Sequence, residues 1–181
     1  MKSTALRVSW LIVALAVACG DAGDRAALAP TGPSFSRVTL GTCGDIAASG
    51  APVFHAYAAG VQIYRWSGTS WVFVAPRATL HADTGDHAIV GSHYVGPTWE
   101  SVSGSTVVGA LAKRCTPDAT AIPWLLLDAV SSAGPGVFSG VTQIQRLNTA
   151  GGLAPSTSGS VSGEIAEVPY TAEYFFYRDR E

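Results

Sequence analysis

From residue 53 onward, short runs of apolar and β-branched residues are broken by turn-forming clusters every ~8–12 residues. Val61–Trp66 and Trp71–Ala75 flank Ser67-Gly68-Thr69-Ser70, the pattern of a hairpin. Arg77–Ala82 and Ala88–Tyr94 flank Asp83-Thr84-Gly85-Asp86, and Thr98–Val102 and Ser105–Ala112 flank Ser103-Gly104. Trp124–Val130 follows Pro123, and Val137–Leu147 follows the turn-rich Ser132–Gly136. In Val168–Arg178 the alternation has period two: Val168, Tyr170, Ala172, Tyr174 and Phe176 share one face, with Thr171, Glu173 and Phe175 on the other. Trp124-Leu125-Leu126-Leu127 does not alternate, and with Pro123 before it the run also suits the start of a short helix. Gly151–Gly163, rich in Gly, Ser and Thr, reads as one long loop. No long stretch carries a helical stripe. The pattern predicts a single all-β domain, an antiparallel β-sandwich or small β-barrel.

The start of the chain obeys other rules. Lys2 and Arg7 precede an apolar run from Val8 to Ala18, broken only by Ser9. That run is 11 residues long, short of the roughly 20 that span a bilayer. A basic start, a short apolar centre and small residues at its end predict an export signal over 1–18. Ala16-Val17-Ala18 is followed at once by Cys19, which resembles a bacterial lipobox and predicts lipidation of Cys19. Residues 19–37, rich in Ala, Gly and Pro, read as a flexible tether, and 38–181 as the β domain. The expected location is the cell envelope, on an outer-membrane or periplasmic face, with plain secretion as the alternative. The membrane is then a partner through the N-terminal lipid.

Cysteine parity supports the anchor. The three cysteines are Cys19, Cys43 and Cys115. Lipidating the first leaves Cys43 and Cys115 to form a disulfide in an oxidising compartment. The loop so closed, of about 73 residues, contributes roughly 4 kcal/mol by the chain-entropy estimate.

Charge narrows the function classes. The chain has 11 Lys+Arg against 13 Asp+Glu among 181 residues, and only 13% of residues are charged. Residues 1–18 hold Lys2 and Arg7 and no acid, so residues 19–181 carry a net charge of −4. Nucleic-acid binding, which needs a basic groove, is not expected. Gly134-Pro135-Gly136-Val137-Phe138-Ser139-Gly140 imitates a dinucleotide loop, but Val137–Leu147 is β-prone rather than helical. There is no phosphate-binding loop, Cys-x-x-Cys, His-Glu-x-x-His or Gly-x-Ser-x-Gly. No cofactor is expected.

Several segments carry a resemblance. Val61-Gln62-Ile63-Tyr64-Arg65, Gly91-Ser92-His93-Tyr94-Val95-Gly96-Pro97-Thr98-Trp99-Glu100, Ile122-Pro123-Trp124-Leu125-Leu126-Leu127, Val141–Gly152 and Tyr170-Thr171-Ala172-Glu173-Tyr174 occur in this order. Over about residues 38–178 the chain resembles the domain of unknown function 3455 family of exported bacterial and fungal proteins. Trp66 stands where many relatives carry a Cys, so the resemblance implies a different disulfide pattern here. It implies a shared fold and export, and supplies no established activity or catalytic residues.

Three groups of residues are candidates for chemistry. His81 and His87 flank the Asp83–Asp86 turn, and a hairpin there brings them together as ligands for a divalent metal. His93, Trp99 and Glu100 lie around a Gly96-Pro97 bend. They suit a sugar stacked on the indole, and His93 with Glu100 suits an acid–base pair. Gln143, Gln145, Arg146 and Asn148 form the densest polar stretch, with Arg146 set either to pair with Glu100 or Glu173 or to receive a ligand carboxylate. Period two puts Gln143 and Gln145 on one face and Arg146 and Asn148 on the other, and Asn148 suits a positive-φ turn. The leading expectation is a non-catalytic binding or structural domain whose surface of His93, Trp99, Glu100, Gln145 and Arg146 takes a carbohydrate or protein ligand. The alternative is a hydrolase using His93 and Glu100, metal-assisted through His81 and His87.

Overall fold

The computed structural model describes residues 38–85 and 87–180 of the chain. The export signal, the whole tether with Cys19, Asp86 and Glu181 lie outside the described residues. Eight antiparallel strands run in sequence order and close on themselves as a barrel. They are β1 (Ala51–Trp66), β2 (Trp71–His81), β3 (Ile89–Tyr94), β4 (Thr98–Ser101), β5 (Thr106–Cys115), β6 (Trp124–Ala133), β7 (Gln143–Gly151) and β8 (Ile165–Arg178). Closure comes from pairing of β1 with β8 along almost their full length, Ala51 opposite Arg178 through to Arg65 opposite Ile165. A closed ring leaves no free sheet edge except where a neighbouring strand stops short.

Period two sorts side chains into lumen and exterior. The lumen receives Ala56 and Ala58 of β1, Ala78 and Leu80 of β2, Trp99 of β4, Val107 of β5, Leu127 of β6, Ile144 of β7, and Tyr170, Ala172, Tyr174 and Phe176 of β8. Small residues on β1 and β2 leave room for the large aromatics arriving from β4 and β8. Gly109 has the same purpose beside Trp99: a Cβ there would sit 3.1 Å from the indole ring.

Three departures from the sequence expectation have local causes. Trp71–Ala75 and Arg77–Ala82 form one strand with Pro76 inside it, because this half of β2 pairs only with β1. Proline is tolerated there for want of a second partner to receive its N–H. The expected strand Val137–Leu147 begins only at Gln143. Residues 137–140 form turns that carry Phe138 into the barrel end, between Phe54 and Phe176 with ring centroids 5.6 and 4.6 Å away. Finally, Trp124–Leu127 is a strand without a helix. It lacks alternation because both of its faces are covered: Leu125 and Leu127 face the lumen side, while Leu126 packs under a 3-10 segment, Gly41–Ile46.

That 3-10 segment lies on the outer wall, where Cys43 and Ile46 pack with Leu126, Leu147, Phe175 and Tyr177. The expected disulfide Cys43–Cys115 is present and fastens it to the end of β5, across a sequence separation of 72. No helix among the described residues is long and apolar enough to cross a membrane.

Candidate functional site

The wall is uneven, and that creates the site. β3 pairs only with Ala78–His81 of β2, and β4 only with Thr106–Val108 of β5. Beyond those pairs, β2 and β5 continue with no strand between them, and the short turn from Val95 to Pro97 crosses the gap. A cavity of about 280 Å³ enters the lumen there. Phe73, Val74 and Leu111 form its rim and are about half exposed. Deeper in, Leu125, Leu127 and Trp99 supply apolar walls, and Gln62, His93, Arg146 and Tyr174 supply polar groups.

His93 and Trp99 are direct cross-strand partners, which puts both in the lumen. Their rings stack at 4.3 Å and 10°, and Tyr174 meets each of them edge-on at 5.1 and 5.3 Å. His93 Nδ1 lies 2.9 Å from the carbonyl oxygen of Thr98. A carbonyl only accepts, so Nδ1 carries the proton and Nε2 is left as an acceptor. Burial pushes the His93 pKa down to about 3; the Thr98 bond opposes this and the nearby Arg146 charge reinforces it. The imidazole is therefore neutral at any ordinary pH, its one proton on Nδ1 held by the Thr98 carbonyl, and it is no imidazolium acid.

Arg146, next after the buried Ile144 on the inward face of β7, donates through Nε and Nη2 to the carbonyl of Pro123, at 3.2 and 2.8 Å. No carboxylate lies within ion-pairing distance of it among the described residues. The two expected partners are both engaged on the outside: Glu100 accepts from Tyr94 Oη at 2.9 Å, and Glu173 bonds His55 Nε2 at 2.9 Å and Asn148 Nδ2 at 3.0 Å. Gln62 Nε2, Trp99 Nε1 and the Tyr174 hydroxyl are fully buried polar atoms with no hydrogen-bond partner among the described residues. Arg146 and the Tyr170 hydroxyl lie close enough to Tyr174 to influence its ionisation, but neither meets it in hydrogen-bonding geometry, and burial raises the phenol's pKa.

Of the five residues expected to share a binding surface, His93, Trp99 and Arg146 line one cavity. Glu100 and Gln145 do not. Glu100 pairs in register with Ser92, one step from Trp99, and so faces the exterior. This separates it from His93 by the thickness of the sheet, and the acid–base pair expected of the two is not assembled. Gln145 also faces outward, buried beneath the 3-10 segment, where Nε2 donates to the Ile46 carbonyl and Oε1 accepts from Tyr177 Oη. It is a structural bridge. The Trp99 face expected to stack on a sugar is covered by His93.

Asn148 adopts φ 49°, the positive-φ turn that its sequence context suggests, and the register shifts between Leu147 and Ala150. The shift turns Asn148 outward to Glu173, away from the face it was expected to share with Arg146. His81 is buried and pairs in register with Ile89, not with His87. His87 is exposed in the loop after β2, its Nδ1 3.2 Å from Asp83 Oδ1. No three His, Cys, Asp or Glu side chains converge on a metal position among the described residues. Gln62 and Tyr174 were not among the expected site residues. Gln62 could have been found as a polar residue on the Gln62–Tyr64 face of β1, which turns to the core.

Fold and cavity together define a class: a closed eight-stranded antiparallel barrel with a side-opening, polar-floored lumen. The chain belongs to the family described as protein of unknown function (DUF3455), whose model matches residues 47–178. No curated protein and no solved structure matches it.

Proposed function

We propose that this is an exported, lipid-anchored envelope protein whose barrel binds a small ligand in its lumen and catalyses no reaction. One observation carries the binding reading: among the described residues, Arg146, a partly buried cation without a counter-ion, lines an apolar-walled cavity whose wall residues Gln62, Trp99 and Tyr174 each bury a polar atom with no hydrogen-bond partner. Buried polar groups without partners are costly, by about 1–3 kcal/mol each, and natural barrels keep few of them without a use. Apolar walls with a few convergent polar groups are the usual composition of a small-molecule site. The neutral His93 and the outward Glu100 leave no proton-transfer pair at the cavity. Blocking the mouth is the direct test. Leu111→Trp, at a half-exposed rim position, should abolish binding of small apolar probes while leaving the unfolding midpoint unchanged; probe binding indifferent to that change would refute lumenal binding.

Support for export and anchoring comes from Lys2, Arg7, the apolar run to Ala18, and Cys19 directly after Ala16-Val17-Ala18. The Cys43–Cys115 bridge is consistent with an oxidising compartment and leaves Cys19 as the odd thiol. Mass spectrometry of the membrane fraction should find acyl chains on Cys19, and a soluble, unmodified protein beginning elsewhere would contradict the anchor.

A further inference from the structure

The nature of the polar groups says what kind of ligand fits, on the condition that the lumen binds one at all. We propose that the cavity takes a small apolar monocarboxylate, with its carboxylate on Arg146 and its hydrocarbon or aromatic body against Leu125, Leu127 and Leu111.

Four observations converge on that chemistry. The first is the charge of Arg146. Its guanidinium spends two donors on one neutral carbonyl and faces no carboxylate among the described residues. A guanidinium has five N–H donors, and its fork matches a carboxylate in two parallel bonds. A partly buried cation without a counter-ion has lost hydration that an entering anion restores.

Second, no Asp or Glu lines the cavity among the described residues, so nothing there repels an entering anion. Third, the positive charge is single. Among the described residues Arg146 is the only cationic side chain lining the cavity, and His93, neutral by burial, adds no second charge. One cation matches one carboxylate; a phosphate dianion or a dicarboxylate would keep a charge uncompensated. Fourth, size and walls set the rest of the molecule. A volume of about 280 Å³ corresponds to roughly nine waters at about 30 Å³ each, which is room for on the order of ten non-hydrogen atoms. The rim residues Phe73, Val74 and Leu111 are apolar and half exposed, so the way in favours a hydrocarbon over a sugar.

Calorimetry on the intact chain, with benzoate, phenylpropanoate, hexanoate and octanoate set against their primary amides, tests the assignment. At least one carboxylate should bind about tenfold or more tightly than its amide, because the guanidinium makes charge-assisted bonds only to the carboxylate. Arg146→Gln should bring that carboxylate down to its amide's affinity and leave the amide unchanged. Lowering the pH from about 7 to below the probe's own carboxyl pKa, near 4, should do the same to the native protein, so the answer does not depend on the variant folding. Carboxylates and amides binding equally, both lost in Leu111→Trp, would overturn the carboxylate assignment and keep the binding cavity. No binding by any probe, or binding unaffected by Leu111→Trp, would overturn both.

Discussion

The two halves of the lumen are built from the same strands in the same register, yet they have opposite characters. Toward the start of β1 and the end of β8, inward positions carry Leu80, Val107, Ile144 and Phe176, and Phe138 folds in from the β6–β7 connection to close the end. One inward step along the same strands, Ile144 gives way to Arg146 and Phe176 to Tyr174, with His93 and Gln62 alongside. The first half is a dry core. The second is an open cup in whose wall Gln62, Trp99 and Tyr174 bury polar atoms without a hydrogen-bond partner among the described residues. Strand length makes the difference: full-length neighbours seal the first half, while the short β3 and β4 leave the second unroofed between β2 and β5. Burial alone therefore does not identify a core. Trp99 and Phe176 are almost equally buried, but one borders a cavity and the other fills space.

If this division is right, truncations in the two halves should differ sharply. Phe176→Ala in the dry half should destabilise by about 3–5 kcal/mol in denaturant unfolding, whereas Leu111→Ala at the rim should stay within about 0.5 kcal/mol. Similar losses at both positions would erase the distinction. The outer wall offers a second large effect. Replacing Cys43 and Cys115 together by alanine should lower stability by about 4 kcal/mol, the loop-entropy contribution, with the lumen unaltered and probe binding retained.

His93 sharpens the comparison through pH. In the unfolded chain its imidazole takes up a proton near 6.5, while burial in the barrel withholds protonation down to about 3. Between those values the unfolded state binds more protons, so stability falls as pH is lowered through that window, and the contribution is complete above it. His93→Phe should flatten the pH dependence of the unfolding midpoint over the upper part of this range. It should not abolish it, because His55, also depressed by burial, adds slope of the same sign. A slope unchanged by the substitution would place the titration elsewhere. The smallest expected effect is at the cup's own cation. Arg146→Met gives up two bonds to Pro123 and also removes a charge without a counter-ion, so stability should change by no more than about 1 kcal/mol. A loss of several kcal/mol would make Arg146 a structural residue.

Much of the barrel was legible because period-two alternation and Gly/Ser/Asp turns are local signals. β8, the β1–β2 and β4–β5 turns, the long loop before β8 and the Cys43–Cys115 bridge all follow from adjacent residues or from counting thiols. What was not legible depends on contacts distant in sequence. The sequence puts Gln145 in a ligand-binding surface, yet Gln145 is 1% exposed because Ile46, far back in the chain, folds over it. Phe138 sits in a segment that looks like a strand, and only the barrel's open end makes it a plug. His93 and Trp99 could be placed together from the Gly96-Pro97 bend. Their separation from Glu100 follows from parity once Trp99 is known to point inward, but the sequence does not say which face is in. Nothing local reveals that β3 and β4 are too short to cover their neighbours, so the mouth itself could not be foreseen.

The central claim is that the open half of the lumen receives a small molecule and the packed half does not. A fluorine-labelled benzoate titrated into the protein, with fluorine-to-proton cross-relaxation read out by residue, separates the halves directly. The account predicts contacts to Trp99, Leu125 and Leu127 and none to Phe138 or Phe176. Contacts confined to the outer wall, or none anywhere at saturating probe, would contradict it.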